Sequence, residues 1–132
     1  MQSQAKLPQV LVVDDDPDLL RLIGLLLKRI HCDSIPMANG RSALSWLALE
    51  NVPELVVLDL MLPDVDGFEV LRHIRSRKEL DLIPVVILSA KSDPHTIRYG
   101  LDNGADEFIS KPYLSNSLTR RVLTLLEEGR KH

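Results

Sequence analysis

The chain has 132 residues, 45% of them apolar and 27% charged, a size and balance that suit one globular domain and exclude a disordered chain. Sixteen Lys and Arg against nineteen Asp and Glu leave a net charge of −3, with both signs scattered along the sequence, which excludes a strongly basic nucleic-acid footprint. A single cysteine, Cys32, excludes an internal disulfide and reads as a reduced, partly buried core residue.

No apolar run approaches the ~18 residues that a membrane span requires. The amino-terminal MQSQAKLPQ carries no apolar segment of the signal-peptide kind. The expectation is therefore a cytoplasmic single domain over residues 1–132, ordered from about 8 to 128, with frayed ends at 1–8 and 129–132.

Five short apolar runs alternate with longer amphipathic stretches. The first run, VLVV at 10–13, is followed by Asp16-Pro17, a capping residue before a proline at the first helical position. In that helix Leu19, Leu22, Ile23, Leu26, Leu27 and Ile30 fall on one arc predicted to face a sheet, with Leu20 at its margin and Leu25 outside it. The second run spans 34–37, and Asn39-Gly40 turns the chain into a second helix where Trp46 lies off the Ala43, Leu44, Leu47 row as a half-exposed packing residue. The third run, LVVL at 55–58, precedes LMLPDVDGFEVL, in which Asp64 and Asp66 read as turn and cap residues and Gly67 as the residue meeting the turn's φ requirement. The fourth run, VVIL at 85–88, leads to Asp93-Pro94, a second cap of the same design, and that helix ends at Gly104. The last run, 107–110, precedes a helix whose buried row is Leu118, Val122 and Leu125, with Leu123 outside it. His31, His73, His95 and His132 show no ligand spacing and read as surface residues.

Uninterrupted β-branched runs such as VLVV, LVVL and VVIL suit strands covered on both faces, hence a parallel sheet. Alternation with helices makes the chain five βα units of the α/β class, a doubly wound sheet with helices on both faces. All the carboxyl ends of such strands open on one edge, where ligands bind at the reversal of strand order. Here the carboxyl ends carry Asp14, Asp15 and Asp16 after the first strand, Asp59 after the third, Ser89 after the fourth and Lys111 after the fifth. Several carboxylates at one edge repel, each raising its neighbours' pKa. A hard divalent cation such as Mg²⁺ resolves that repulsion by taking carboxylate oxygens, a backbone carbonyl and waters. A lysine adds a point charge and a serine a hydroxyl donor for phosphoryl oxygens, which is what phosphoryl transfer needs.

The segments VLVVDDDPDLL, LVVLDLMLPDVDGFEVL, PVVILSAKSD and GADEFISKPY, in that order, resemble the receiver domains of two-component response regulators. The intervals match as well: 44 residues from Asp15 to Asp59, 30 from Asp59 to Ser89 and 22 from Ser89 to Lys111. The resemblance covers essentially the whole chain and implies a flavodoxin-like sheet of order 2-1-3-4-5. It implies that Asp59 is the phosphoacceptor, that Asp15 binds Mg²⁺ directly with Asp14 beside it, and that Met61 contributes its backbone carbonyl. It further implies that Lys111 pairs with the phosphoryl group, that Pro112 is a cis-proline orienting that lysine, and that Ser89 and Phe108 are the switch pair. Where many relatives have tyrosine, Phe108 has no hydroxyl, so switching here rests on packing. Met61 and Lys91 flank the acceptor region and are expected to tune the lifetime of the phosphate.

The function so implied is a phosphorelay switch rather than an enzyme. A histidine kinase or histidine phosphotransfer protein donates to Asp59 with one Mg²⁺ per domain, and the fourth helix, fifth strand and fifth helix act on a downstream protein or a phosphorylation-dependent homodimer. No contact with nucleic acid or membrane is expected, nor an output domain within these residues; the alternative is a receiver cut from a longer regulator. Two other readings compete. One is a phosphorylation-independent adaptor. The other is a haloacid-dehalogenase-type phosphatase with Asp14 as nucleophile and Asp16 as general acid, against which Pro17-Asp18 replaces the residues usual after that motif.

Overall fold

The computed structural model describes residues 6–111 and 115–130. Five strands and five helices alternate: β1 Gln9–Val13, α1 Pro17–Arg29, β2 Asp33–Met37, α2 Gly40–Ala48, β3 Leu55–Leu58, α3 Gly67–Ser76, β4 Val85–Ser89, α4 Pro94–Asp102, β5 Glu107–Ser110 and α5 Ser115–Glu128. The strands form one parallel sheet in the order β2-β1-β3-β4-β5, as the resemblance implied. Order reverses between β1 and β3, so helices fall on both faces.

Side-chain alternation along each strand feeds two separate cores. Val10 and Val12, Leu55 and Val57, and Val86 and Leu88 point to the face covered by Ile23 and Leu27 of α1 and Leu118, Val122 and Leu125 of α5. Leu11 and Val13, Val56 and Leu58, and Val85 and Ile87 point to the other, covered by Ala43 and Leu47 of α2 and Val70, Leu71 and Ile74 of α3. Double coverage explains why the runs VLVV, LVVL and VVIL of the three central strands have no polar residue. Pro36 lies on the edge strand β2, where a missing N–H costs no ladder bond on the open side. Cys32 is buried, and Trp46 packs half-buried against the α2–α3 core, both as expected.

Helix starts follow the sequence signals. Asp16 accepts the N–H groups of Asp18 and Leu19 at the start of α1, and Asp66 that of Phe68 at the start of α3. Asp93 accepts both the N–H and the hydroxyl of Thr96 at the start of α4. Four sequence expectations need correction. Leu22 is 46% exposed; the buried stripe of α1 is narrower than the pattern predicts and consists of Ile23, Leu26 and Leu27. His73 is half-buried between α2 and α3 rather than on the surface. Of the residues expected in the frayed ends, Pro8 and Arg130 are held, since Pro8 accepts the N–H of Asp33 at 2.9 Å and Arg130 donates to the Asp81 carbonyl at 2.8 Å; 1–5 and 131–132 lie outside the described residues. Finally, Gly67 needs no positive φ; it is required because its Cα sits against the backbone of Asp59 and Leu60.

Candidate functional site

Backbone pairing continues one residue past three of the strands and holds the polar side chains that follow. Asp14 donates its N–H to Met37 at 3.1 Å, Asp59 to Val13 at 2.9 Å and Lys111 to Ser89 at 2.9 Å. Asp14 and Asp59 are therefore as fixed as strand residues, although each lies just outside its strand. Both are buried, whereas Asp15 between the β1 end and α1 is exposed.

Lys111 ties the two buried carboxylates together: its Nζ lies 2.8 Å from Asp14 Oδ2 and 3.3 Å from Asp59 Oδ2. The remaining oxygens take backbone donors, Asp14 Oδ1 from the Asp16 N–H at 2.9 Å and Asp59 Oδ1 from the Met61 N–H at 3.2 Å. Among the described residues, Asp14, Asp15 and Asp59 each offer a carboxylate oxygen within 4.8 Å of the others. Three carboxylates against one ammonium leave an excess of negative charge in a partly desolvated spot. Burial pushes the Asp59 carboxyl above its ordinary range; the Met61 N–H and the Lys111 charge oppose that, and Asp14 adds to it. For Lys111 burial favours the neutral amine, but its bonds and charge pairing with Asp14 and Asp59 outweigh it and hold the ammonium above its usual pKa. The oxygen-only donor set, with excess negative charge, fits a hard divalent cation of the Mg²⁺ type.

Ser89 is fully buried at the end of β4, and its Oγ accepts the Lys91 N–H at 3.2 Å. Phe108, half-buried on β5, lies against the α2–α3 core and close under Gly100 of α4. A surface hollow of about 330 Å³ opens beside the acidic cluster, with Leu60, Met61 and Phe68 on one side and Lys91 and Thr96 on the other. Met61 and Lys91, singled out by position in the sequence, thus share one cavity. Pro112 lies outside the described residues. Asp16 is used as the α1 cap, which removes it from the role of general acid. Asp64 carries a task that sequence reasoning missed: it accepts the N–H groups of Gly40 and Arg41, both at 2.9 Å, and so caps α2 from 23 and 24 residues away. A cap supplied by a distant loop leaves no local pattern to read.

A family model described as the response regulator receiver domain matches residues 10–123. The transcriptional regulatory protein AfsQ1 of Streptomyces coelicolor is 35% identical over 125 residues, 95% of this chain and 54% of that protein. The DNA-binding response regulator MtrA of Mycolicibacterium smegmatis is 38% identical over 121 residues, 92% of this chain and 51% of that protein. The chain thus spans about half the length of the curated relatives it matches. Among solved structures, the receiver domain of the Francisella response regulator 1452 superposes with a TM-score of 0.83 at 31% identity, covering 92% of this chain and 98% of that one.

Proposed function

Because the chain belongs to the response regulator receiver domains, we propose that it is a phosphorylation-driven switch whose acceptor is Asp59 and whose donor is a phosphohistidine on a histidine kinase or phosphotransfer protein. One observation carries the reading: three carboxylates from two strand ends converge under the ammonium of a lysine from a third. Charge is thereby arranged for an incoming phosphoryl group before that group arrives.

Asp59 attacks as the carboxylate. Burial raises its pKa, and the Met61 N–H and the Lys111 charge work against that rise, favouring the ionised nucleophile. An Asp59 oxygen bonds to phosphorus while the phosphorus–nitrogen bond to the donor imidazole breaks, its electron pair returning to the nitrogen. Lys111 then pairs with a phosphoryl oxygen in place of the Asp59 oxygen it holds now. Asp14, Asp15, Asp59 and the Met61 backbone carbonyl would hold Mg²⁺, which supplies charge neutralisation for the crowded oxygens when bound. Hydrolysis by water at phosphorus restores the carboxylate and releases inorganic phosphate.

Readout follows from Ser89, whose hydroxyl exchanges the Lys91 N–H for a phosphoryl oxygen and draws the β4–α4 connection inward. Phe108 repacks beneath α4, and the α4–β5–α5 surface presents a changed face to a protein partner.

Intact mass after incubation with acetyl phosphate tests this on the wild type, Asp59→Asn and Asp14→Asn, with Mg²⁺ and with EDTA. The expected result is a Mg²⁺-dependent phosphoryl adduct on the wild type that Asp59→Asn abolishes, and that Asp14→Asn does not abolish alone. Loss in Asp14→Asn alone points to the phosphatase chemistry. No adduct on any protein, with Mg²⁺ binding confirmed, favours an adaptor or a receiver that accepts only from its protein partner.

A further inference from the structure

Of the helices, α4 has the least to hold it. Only Thr96 and Gly100 of its nine residues are buried, whereas neighbouring α3 buries Gly67, Val70, Leu71 and Ile74. Gly100 settles over Ile87 and the Phe108 ring without a side chain of its own, so it seats α4 closely but grips little. An aromatic contact also ties α4 to α3. Tyr99, 42% exposed, stands edge-to-face on Phe68, ring centroids 4.7 Å apart at 82°.

Phe68 stands in the first turn of α3, beside the acceptor segment. It follows Gly67, whose N–H donates to the Leu60 carbonyl at 3.0 Å and whose Cα is wedged on the Asp59–Leu60 backbone. Phe68 and Thr96 also wall the hollow that opens beside the acidic cluster. The aromatic pair thus spans from the acceptor's own backbone to the helix that answers it. In the same structure the Ser89 Oγ accepts the Lys91 N–H at 3.2 Å and Lys111 Nζ holds the Asp14 and Asp59 carboxylates directly, the arrangement taken here as the resting one. Phe108 has no hydroxyl with which to anchor either position of its ring.

We propose that Phe68 and Tyr99 form a latch that sets the resting position of α4, and thereby the balance between resting and switched arrangements. Both are positioning residues: they touch neither the phosphoryl group nor its ligands and act through α4. This rests on the reading of Asp59 as acceptor, because the switched arrangement is the one that phosphorylation favours. An edge-to-face pair of this kind shifts a two-state balance by about two- to tenfold. By linkage, breaking it tightens binding of a phosphoryl mimic by the same factor.

The experiment uses the full chain as wild type, Phe68→Leu, Tyr99→Leu, the double variant and Tyr99→Phe. Hydrogen exchange of the α4 amides is measured without ligand, and beryllofluoride with Mg²⁺ is then titrated as the mimic. Each leucine variant is expected to speed α4 exchange and to bind beryllofluoride about two- to tenfold more tightly. The double variant should go no further than either single one, and Tyr99→Phe, which keeps the ring, should match the wild type. Unchanged exchange and affinity, additive effects in the double variant, or a Tyr99→Phe that behaves like Tyr99→Leu would each overturn the latch. If beryllofluoride binds no variant and not the wild type, the acceptor reading fails. The latch is then judged on exchange alone, where a non-additive cycle supports it and an additive one removes it.

Discussion

At Gly67 a single hydrogen atom in place of a methyl group decides where the Asp59 backbone lies. A Cβ there would meet the Asp59 carbonyl oxygen closer than real Cβ atoms come, and would lie 2.6 Å from Leu60 Cα. Backbone cannot yield as the tip of a flexible side chain can. Gly67→Ala should cost about 1–3 kcal/mol in urea unfolding, the usual range for overpacking. It should also lower the yield of the acetyl phosphate adduct, because relief requires the Asp59–Leu60 segment to move. Unchanged stability together with unchanged yield would show that α3 tilts away freely. The sequence signalled that position 67 demands glycine but pointed to the wrong reason, since a close approach across the β3–α3 turn leaves the same letter as a φ requirement. The same scale explains why Asp14, Asp59, Ser89 and Lys111 were readable in advance: each stands at or just past the carboxyl end of a strand, and a parallel sheet brings those ends together whatever lies between.

Between elements, α2 is held at both ends by groups from elsewhere. Asp64 receives the N–H groups of its first turn, and Arg77 beyond α3 donates to the Leu47 carbonyl at 2.7 Å. Burial pushes the Asp64 carboxyl up, but the N–H groups of Arg41, Gly40 and Val65 together outweigh it and hold the group below its usual value. In the groove between α2 and α3 sits His73, with Leu44 facing it from α2 and Glu69 and Arg72 beside it on α3. Its Nε2 is buried without a hydrogen-bond partner among the described residues. Burial first, and the Arg77 charge second, lower its pKa below the usual 6.5. The folded protein therefore binds fewer protons at this site than the unfolded chain does. Stability from this site is complete above pH 6.5 and is lost as pH falls below it toward the folded-state value. Urea midpoints at pH 7.5 and pH 5.5 should fall further for the wild type than for His73→Gln. Equal falls would mean that the groove admits the imidazolium without cost.

Across the whole molecule the two edges of the sheet are built on opposite electrostatic terms. At the carboxyl edge, carboxylates outnumber the one lysine. At the amino edge the charges are matched and bonded. Asp106, fully buried, accepts the Val85 N–H at 2.9 Å and Arg75 Nη2 at 3.1 Å, while Arg130 Nε stands 3.7 Å away. Arg75 also donates to the carbonyls of Gly104 and Asp81, at 2.9 and 3.0 Å. Burial, with the nearby Arg130 charge, pulls its pKa down to about 10, so it remains a cation at neutral pH. The connections after α3 and α4 and the end of α5 are thus joined at the edge farthest from the site. Arg75→Ala removes the 3.1 Å ion-pair partner of a buried carboxylate and should cost about 3–5 kcal/mol. Arg130→Ala should cost less, because Asp106 keeps Arg75 and the Val85 N–H. Urea denaturation of the two variants checks that order, and a larger loss for Arg130→Ala would reverse the assignment of the main partner.

Strand and helix placement, the site's four strand-end residues and the family were legible in the linear order of residues, because they depend on local periodicity, caps and the geometry common to all parallel sheets. Asp16, Asp66 and Asp93 announce their helices from within one turn, and VLVV, LVVL and VVIL can only be buried on both faces. The Asp64 cap on α2, the Arg75–Asp106–Arg130 cluster, the burial of His73 and the Phe68–Tyr99 contact join residues 23 to 31 positions apart. Nothing in the local pattern marks such partners. The side chains involved are ordinary surface types until packing removes their water, and only the assembled sheet brings a partner within reach.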